Sequence, residues 1–302
     1  MILLPNLMRR FLLFCSGSRR RALLLLLWAS ALAPGLFVVP ARAETMVYQR
    51  KIIGQGRVYE TPYFVLEGPA PGPVVLLDAG IHGDETAGVY ALYRLLPRLQ
   101  VQAGKLVILP RMNAPACSAF RRFLTVDLNR VFAGYPGGEP YEYALAWEVF
   151  SMVRQERVEY VVSLHESRRH HQPQTDKNFG QTIVYVVRPM PPCVNAWLAA
   201  INRQMRPEEI FLPHYDYRAG SSTEVLIKSY RLKGGFSVET WTGLPLSRRI
   251  ELQQLVVLKF LDTIKFPYSL TKSGGRIIKH LLYGAILLPL PRDTAIIGSR
   301  RL

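Results

Sequence analysis

Five short runs of apolar, largely β-branched residues recur along this chain: Val74–Leu77, Leu106–Leu109, Tyr160–Leu164, Ile183–Val187 and Phe236–Val238. Runs of that length without polar alternation fit strands buried on both faces. Such strands need a helical layer on each side of their sheet, and amphipathic stretches of helix length lie between several of them. These are roughly Glu85–Leu99, Glu142–Gln155, Val194–Met205 and Ser247–Ile264. Upstream, Met46–Ile53 and Arg57–Leu66 flank Gly54-Gln55-Gly56 as the arms of an antiparallel hairpin would. The pattern predicts an α/β fold with a mixed, mostly parallel central sheet and helices on both faces. No repeat or linker composition divides it, so a single domain over residues 44–267 is expected.

Residues 1–43 stand apart from that domain. Arg9, Arg10, Arg19, Arg20 and Arg21 surround and precede apolar sequence, the run Ala22–Val39 follows, and Ala41-Arg42-Ala43 offers small residues where a signal peptidase reads. Cleavage after Ala43 and export to the periplasm, cell wall or medium are expected. An uncleaved anchor is the alternative, because the run approaches membrane thickness. Ser18 to Leu23 also bears a loose likeness to a twin-arginine signal.

Removing the six Arg of residues 1–43 lowers the formal net charge from +16 to +10, so the mature protein stays strongly basic. That charge either attracts anionic envelope material or only solvates the surface. Nucleic acid is not the expected partner, since the Lys and Arg are scattered without an aromatic-interleaved stripe. Cys117 and Cys193, the two cysteines after the signal, form one disulfide or remain thiols, and they exclude a cysteine-based metal site. Residues 268–302 read as a basic and apolar tail, whose stretch Ile277–Leu290 falls short of a membrane span.

The chemistry gathers at predicted strand ends. The strand at Val74 runs through Asp78, Ala79 and Gly80 into His82-Gly83-Asp84-Glu85, which presents an imidazole and a carboxylate three residues apart, a mixed pair that zinc accepts. Alone, that spacing is weak. A second strand ends on His165, completing two histidines and a carboxylate with a coordination position left open, as a catalytic zinc needs. A third ends on Glu239, followed by Thr240, and a carboxylate there is costly to bury unless it works on a partner such as the hydrolytic water. Between them lie Asn113 to Pro115, the pair Arg121 and Arg122, and Asp127-Leu128-Asn129-Arg130, whose guanidinium forks suit a substrate carboxylate or an oxyanion.

In that order these elements resemble the zinc carboxypeptidase superfamily, in the branch that contains aspartoacylase and succinylglutamate desuccinylase. The resemblance spans residues 74–240. It implies one Zn²⁺ per chain bound by His82, Glu85 and His165, with Glu239 activating the water. It further implies that Arg122 steadies the oxyanion, with Arg121 a rival, that Asn129 and Arg130 hold a free carboxylate of the substrate, and that Asp127 orients a metal-bound imidazole. Two departures stand out. Ala114 separates Asn113 from Pro115, and His165 is followed by a polar run in which Glu166 and His170 either line the site or belong to a solvated loop. No tyrosine is assigned to substrate binding; Tyr215, Tyr217 and Tyr230 are candidates by position.

The function expected is therefore an exported zinc-dependent hydrolase of amide or peptide bonds, a carboxypeptidase acting on cell-wall or other peptides, with a deacylase of N-acyl amino acids as the alternative. A non-catalytic envelope binding protein on the same fold is the reading from a different class.

Overall fold

The computed structural model describes residues 45–171 and 178–271; the expected export signal and residues 272–302 of the tail lie outside the described residues. Four parallel strands make the centre of the sheet: β5 (Ala103–Leu109), β3 (Ala70–Ala79), β6 (Tyr160–Ser167) and β9 (Gly234–Trp241), side by side in that order. Their side chains alternate between two cores. Val75 and Leu77 of β3 enter one with residues of α1 (Thr86–Leu95), α4 (Pro192–Asn202) and α6 (Leu246–Thr263). Leu76 enters the other with α3 (Tyr141–Gln155) and α5 (Ser222–Tyr230). Period-two alternation into two helical layers is why these strands carry almost no polar residue before their carboxyl ends.

Antiparallel strands close the sheet on both sides. β1 (Val47–Ile53) and β2 (Thr61–Glu67) form the expected hairpin against β5, while β7 (Thr182–Tyr185) runs antiparallel to β9 and parallel to the edge strand β8 (Leu212–Tyr215). The fold class read from the sequence is therefore the one observed.

Several boundaries differ, each for a local reason. The helix expected to reach Leu99 stops at Leu95 because Pro97 cannot continue it. Leu99–Val101 instead forms strand β4, paired with β10 (Tyr268–Leu270), and Thr271 N donates to Arg98 O at 2.9 Å. The body of the protein thus continues past residue 267. The hairpin's second arm starts at Thr61 rather than Arg57, since residues 54–60 turn through bonds from Arg57 N to Gly54 O and from Glu60 N to Arg57 O. β7 ends at Tyr185 rather than Val187, three residues before Arg188-Pro189, where the ladder loses a donor. β8 and α5 carry too little apolar pattern to be legible. Cys117 and Cys193 are both free thiols, and among the described residues no helix is long and apolar enough to cross a membrane.

A buried ion pair anchors the far edge. Glu209 lies in a 3₁₀ turn (Pro207–Glu209) and accepts two bonds from Arg248 of α6, each at 2.8 Å, and one from Arg206. The Arg248 bonds hold its carboxyl down at about 2. A carboxyl depressed in the folded state stabilises fully above its unfolded pKa, so this contribution is present above about pH 5 and is lost as pH falls toward 2. Glu209→Gln should cost roughly 1–3 kcal/mol at pH 7 in urea unfolding, with the difference from wild type shrinking steadily below pH 4. An equal difference at pH 7 and pH 3 would remove the ion pair as its cause.

Candidate metal centre

β3 ends in a loop pressed against α2 (Ala114–Ser118). Gly80 has φ +71°, and a Cβ on it would lie 2.8 Å from Cys117 Sγ; one on Gly83 would lie 2.1 Å from the Ala116 carbonyl carbon. Only glycine fits at either point. Asn113 caps α2, its Oδ1 accepting from Ala116 N at 3.3 Å and from Tyr141 OH at 2.8 Å. The Asn-Ala-Pro segment is thus a helix cap that backs the loop carrying His82 and Glu85.

The three expected ligands converge. His82 Nδ1 lies 2.7 Å from Glu85 Oε1, and His165 Nδ1 lies 2.9 Å from Glu85 Oε2. All three residues are buried, and their ligand atoms lie within 4.8 Å of one another. The outer nitrogens are occupied as well, His82 Nε2 by Asp127 Oδ1 at 3.2 Å and His165 Nε2 by Ser163 Oγ at 3.3 Å. A neutral imidazole has a single N–H. Rings with acceptors at both nitrogens must be protonated or must share a cation with Glu85 on the inner side, which is the demand a metal ion satisfies.

Charge follows from this packing. Burial by itself lowers the His82 pKa, but Glu85 and Asp127 outweigh it and raise the ring above the usual imidazole value. Burial by itself raises Glu85, and the two imidazoles overcome it, holding that carboxyl well below the ordinary range. Glu239 goes the other way: desolvation, aided by Glu85, pushes it up to about 8.

Glu239 is the register partner of His165 on the next strand. With His82, Glu85, His165, Arg122, Asn129 and Arg130 it lines one cavity of about 450 Å³. Arg122 reaches Glu85 Oε1 at 3.2 Å and Asp127 Oδ2 at 3.3 Å. Its rival Arg121 is exposed and does not line the cavity, so of the adjacent pair it is Arg122 that faces the cavity after Phe120, at φ 50°, turns the chain. Asn129 Oδ1 accepts from Ser222 N at 2.8 Å at the start of α5. Arg130 is half-buried, and among the described residues its guanidinium has no ion-pair partner within reach.

The polar run after His165 divides: Arg168 and Arg169 are exposed, but Glu166 is not part of a solvated loop. Glu166 continues β6, is buried, pairs with Arg249 of α6 and accepts from Ala87 N at 2.9 Å, while also lining the cavity. His170 instead contacts Glu208 O and lies outside the cavity lining. None of Tyr215, Tyr217 and Tyr230 lines the cavity; Tyr217 pairs with Lys228, and Tyr230 OH bonds Phe150 O. The sequence reading left Glu166 open and missed Asp78 and Ser163, although an acid inside an apolar strand and a serine two residues before His165 were signals in plain view.

Residues 71–174 match the succinylglutamate desuccinylase/aspartoacylase catalytic domain. N-alpha-acetyl-L-2,4-diaminobutyric acid deacetylase of Halomonas elongata is 40% identical over 103 residues, 32% of this chain and 30% of that protein. Succinylglutamate desuccinylase of Yersinia enterocolitica is 45% identical over 65 residues, 20% of this chain and 19% of that protein. The match therefore spans less than a third of these relatives.

Among solved structures, product-bound cell shape determinant protein Csd4 of Helicobacter pylori has a TM-score of 0.60 at 21% identity, covering 79% of this chain and 59% of that one. A succinylglutamate desuccinylase/aspartoacylase of Rhodobacter sphaeroides has 0.55 at 21%, covering 76% and 68%. At these identities the likeness is one of fold. The fold is like that of these solved structures, and residues 71–174 carry the similarity to the succinylglutamate desuccinylase/aspartoacylase catalytic domain.

The Glu166–Arg249 pair ties the wall of the cavity to α6. Arg249→Ala should leave a buried carboxylate uncompensated and cost roughly 3–5 kcal/mol in urea unfolding, with Glu166→Gln in the same chain recovering part of the loss. A cost below about 0.5 kcal/mol would show that the pair is not a structural tie.

Proposed function

We propose that this chain is a zinc-dependent hydrolase of an amide or peptide bond next to a free carboxylate. One observation carries the reading: two imidazole Nδ1 atoms converge on the Glu85 carboxylate in a cavity that also holds Glu239 and the Arg130 guanidinium, which has no ion pair among the described residues. The donor set of two nitrogens and one carboxylate fits zinc, and each ring's outer nitrogen is already engaged, as a metal-bound imidazole requires. Zinc held by His82, Glu85 and His165 would supply Lewis-acid polarisation of the scissile carbonyl and a more acidic water.

The remaining chemistry belongs to the chain. Glu239 accepts a proton from the attacking water and passes it to the departing nitrogen as the C–N bond breaks, so an acid and an amine leave. Desolvation suits it to that work, since a carboxylate in a dry wall is a stronger base than one in solvent. Arg122 is the cation beside the carbonyl. Arg130, with the Asn129 amide, binds the substrate's free carboxylate, for which it has no competing ion pair. Asp127 holds His82 from behind.

Two substrate classes share this chemistry. The partial identity to a deacetylase, over 103 residues, and to a desuccinylase, over 65 residues, favours an N-acyl amino acid. The export signal read in residues 1–43 favours a peptide outside the cytoplasm, and fold likeness to Helicobacter pylori Csd4, a D,L-carboxypeptidase, is compatible with that. A liquid-chromatography screen of wall-peptide fragments beside N-acetyl and N-succinyl amino acids separates the two, and substrates with the carboxylate converted to an amide should lose most of their kcat/KM.

Glu239→Gln should lower turnover by about 10²–10⁴ while zinc content, read by elemental analysis, stays at one per chain. Undiminished turnover in that variant would strip Glu239 of the role. Purified protein that takes up no zinc would instead favour the non-catalytic binding protein.

A further inference from the structure

Asp78 is buried in β3, and its Oδ2 has no hydrogen-bond partner among the described residues. A buried acceptor left unsatisfied works against folding, so an apolar residue would serve the strand better. What Asp78 does hold is Ser163. The two are register partners on β3 and β6, and Ser163 Oγ donates to Asp78 Oδ1 at 2.6 Å. Ser163 stands two residues before His165 and so shares its face of the sheet; its Oγ lies 3.3 Å from His165 Nε2.

A hydroxyl has one proton to give. With that proton committed to Asp78, the Ser163 oxygen can only accept from His165, which puts the ring's N–H on Nε2. Nδ1 is then left with its lone pair directed toward Glu85 Oε2, 2.9 Å away, on the side where the three ligand atoms meet. On the other ligand the same task is done in one step, by Asp127 at His82 Nε2.

We propose that Asp78, acting through the Ser163 hydroxyl, is a positioning residue for His165, fixing its tautomer and ring rotation so that Nδ1 is the metal-binding nitrogen. This rests on the zinc reading of the site. It also accounts for a charge that the fold itself does not need, since Asp78 sits four residues ahead of His82 and touches neither the cavity nor the substrate groups.

The test uses the full chain and Zn²⁺ itself. Zinc affinity is measured by competition with a chromophoric chelator for wild type, Ser163→Ala and Asp78→Asn. In parallel, the solvent exchange of the His165 Nε2 proton is followed by nitrogen-15 spectroscopy of the zinc-loaded protein. Ser163→Ala should bind zinc about 10- to 100-fold more weakly, the range for residues that orient a metal ligand, and its Nε2 proton should exchange faster.

The denaturation midpoint of metal-depleted Ser163→Ala should fall, because the buried Asp78 carboxylate loses its hydrogen bond, so zinc affinity and Nε2 exchange separate the roles: a merely structural role would lower the midpoint and leave both of those unchanged. Asp78→Asn keeps the shape of the side chain and carries the test if Ser163→Ala does not fold; it should lose about tenfold. Wild type that binds zinc with both variants within twofold of it overturns this proposal and spares the zinc site. Wild type that binds no zinc overturns both.

Discussion

Among the described residues, the Glu85 carboxylate joins four other groups of the molecule. One oxygen meets His82 from the same turn and the other meets His165, brought in from 80 residues away along the chain, while the Glu166 backbone N–H and Arg122 reach it from two further directions. Buried acids and imidazoles in such numbers are tolerated only when each has a partner. The surroundings are built accordingly: Asp127 answers both His82 and Arg122, and Ser163 answers His165. Glycines at 80 and 83 let the loop approach α2 closely enough to aim His82 and Glu85 at the others.

The sheet explains why these groups meet where they do. In parallel strands packed between two helical layers, only the carboxyl ends are open to a cleft, so polar side chains collect there. β3, β6 and β9 are adjacent and in register, which sets Asp78 beside Ser163 and His165 beside Glu239 without any further adjustment. The cavity wall is then tied to α6 through Glu166 and Arg249, and to α5 through Asn129 and Ser222. The helices thus fix the site as well as cover the core.

Legibility in the sequence followed the range of the signal. Apolar runs marked the central strands because burial on two faces leaves a local composition, and His82, Glu85, His165 and Glu239 stood out as polar residues at their ends. Pro97 was a local signal too, and weighing it would have stopped the first helix short of Leu99. β8, with Pro213 and His214 in a four-residue edge strand, has no such composition. The choice between Arg121 and Arg122 could not be local at all, because neighbouring residues differ only in the direction that the turn at Phe120 gives them.

What the sequence by itself determined is the set of chemical groups and the elements that bear them: an α/β alternation, three strand ends with ligand-type residues, and arginines between them. Tertiary structure alone decided how those groups share protons and charge. That Glu166 is a buried ion-paired wall residue, that Arg130 has no ion pair among the described residues, and that a serine stands between Asp78 and His165 all depend on strand order and register. The physical reason is distance: hydrogen bonds and ion pairs act over a few ångströms in space, and separation along the chain does not encode it.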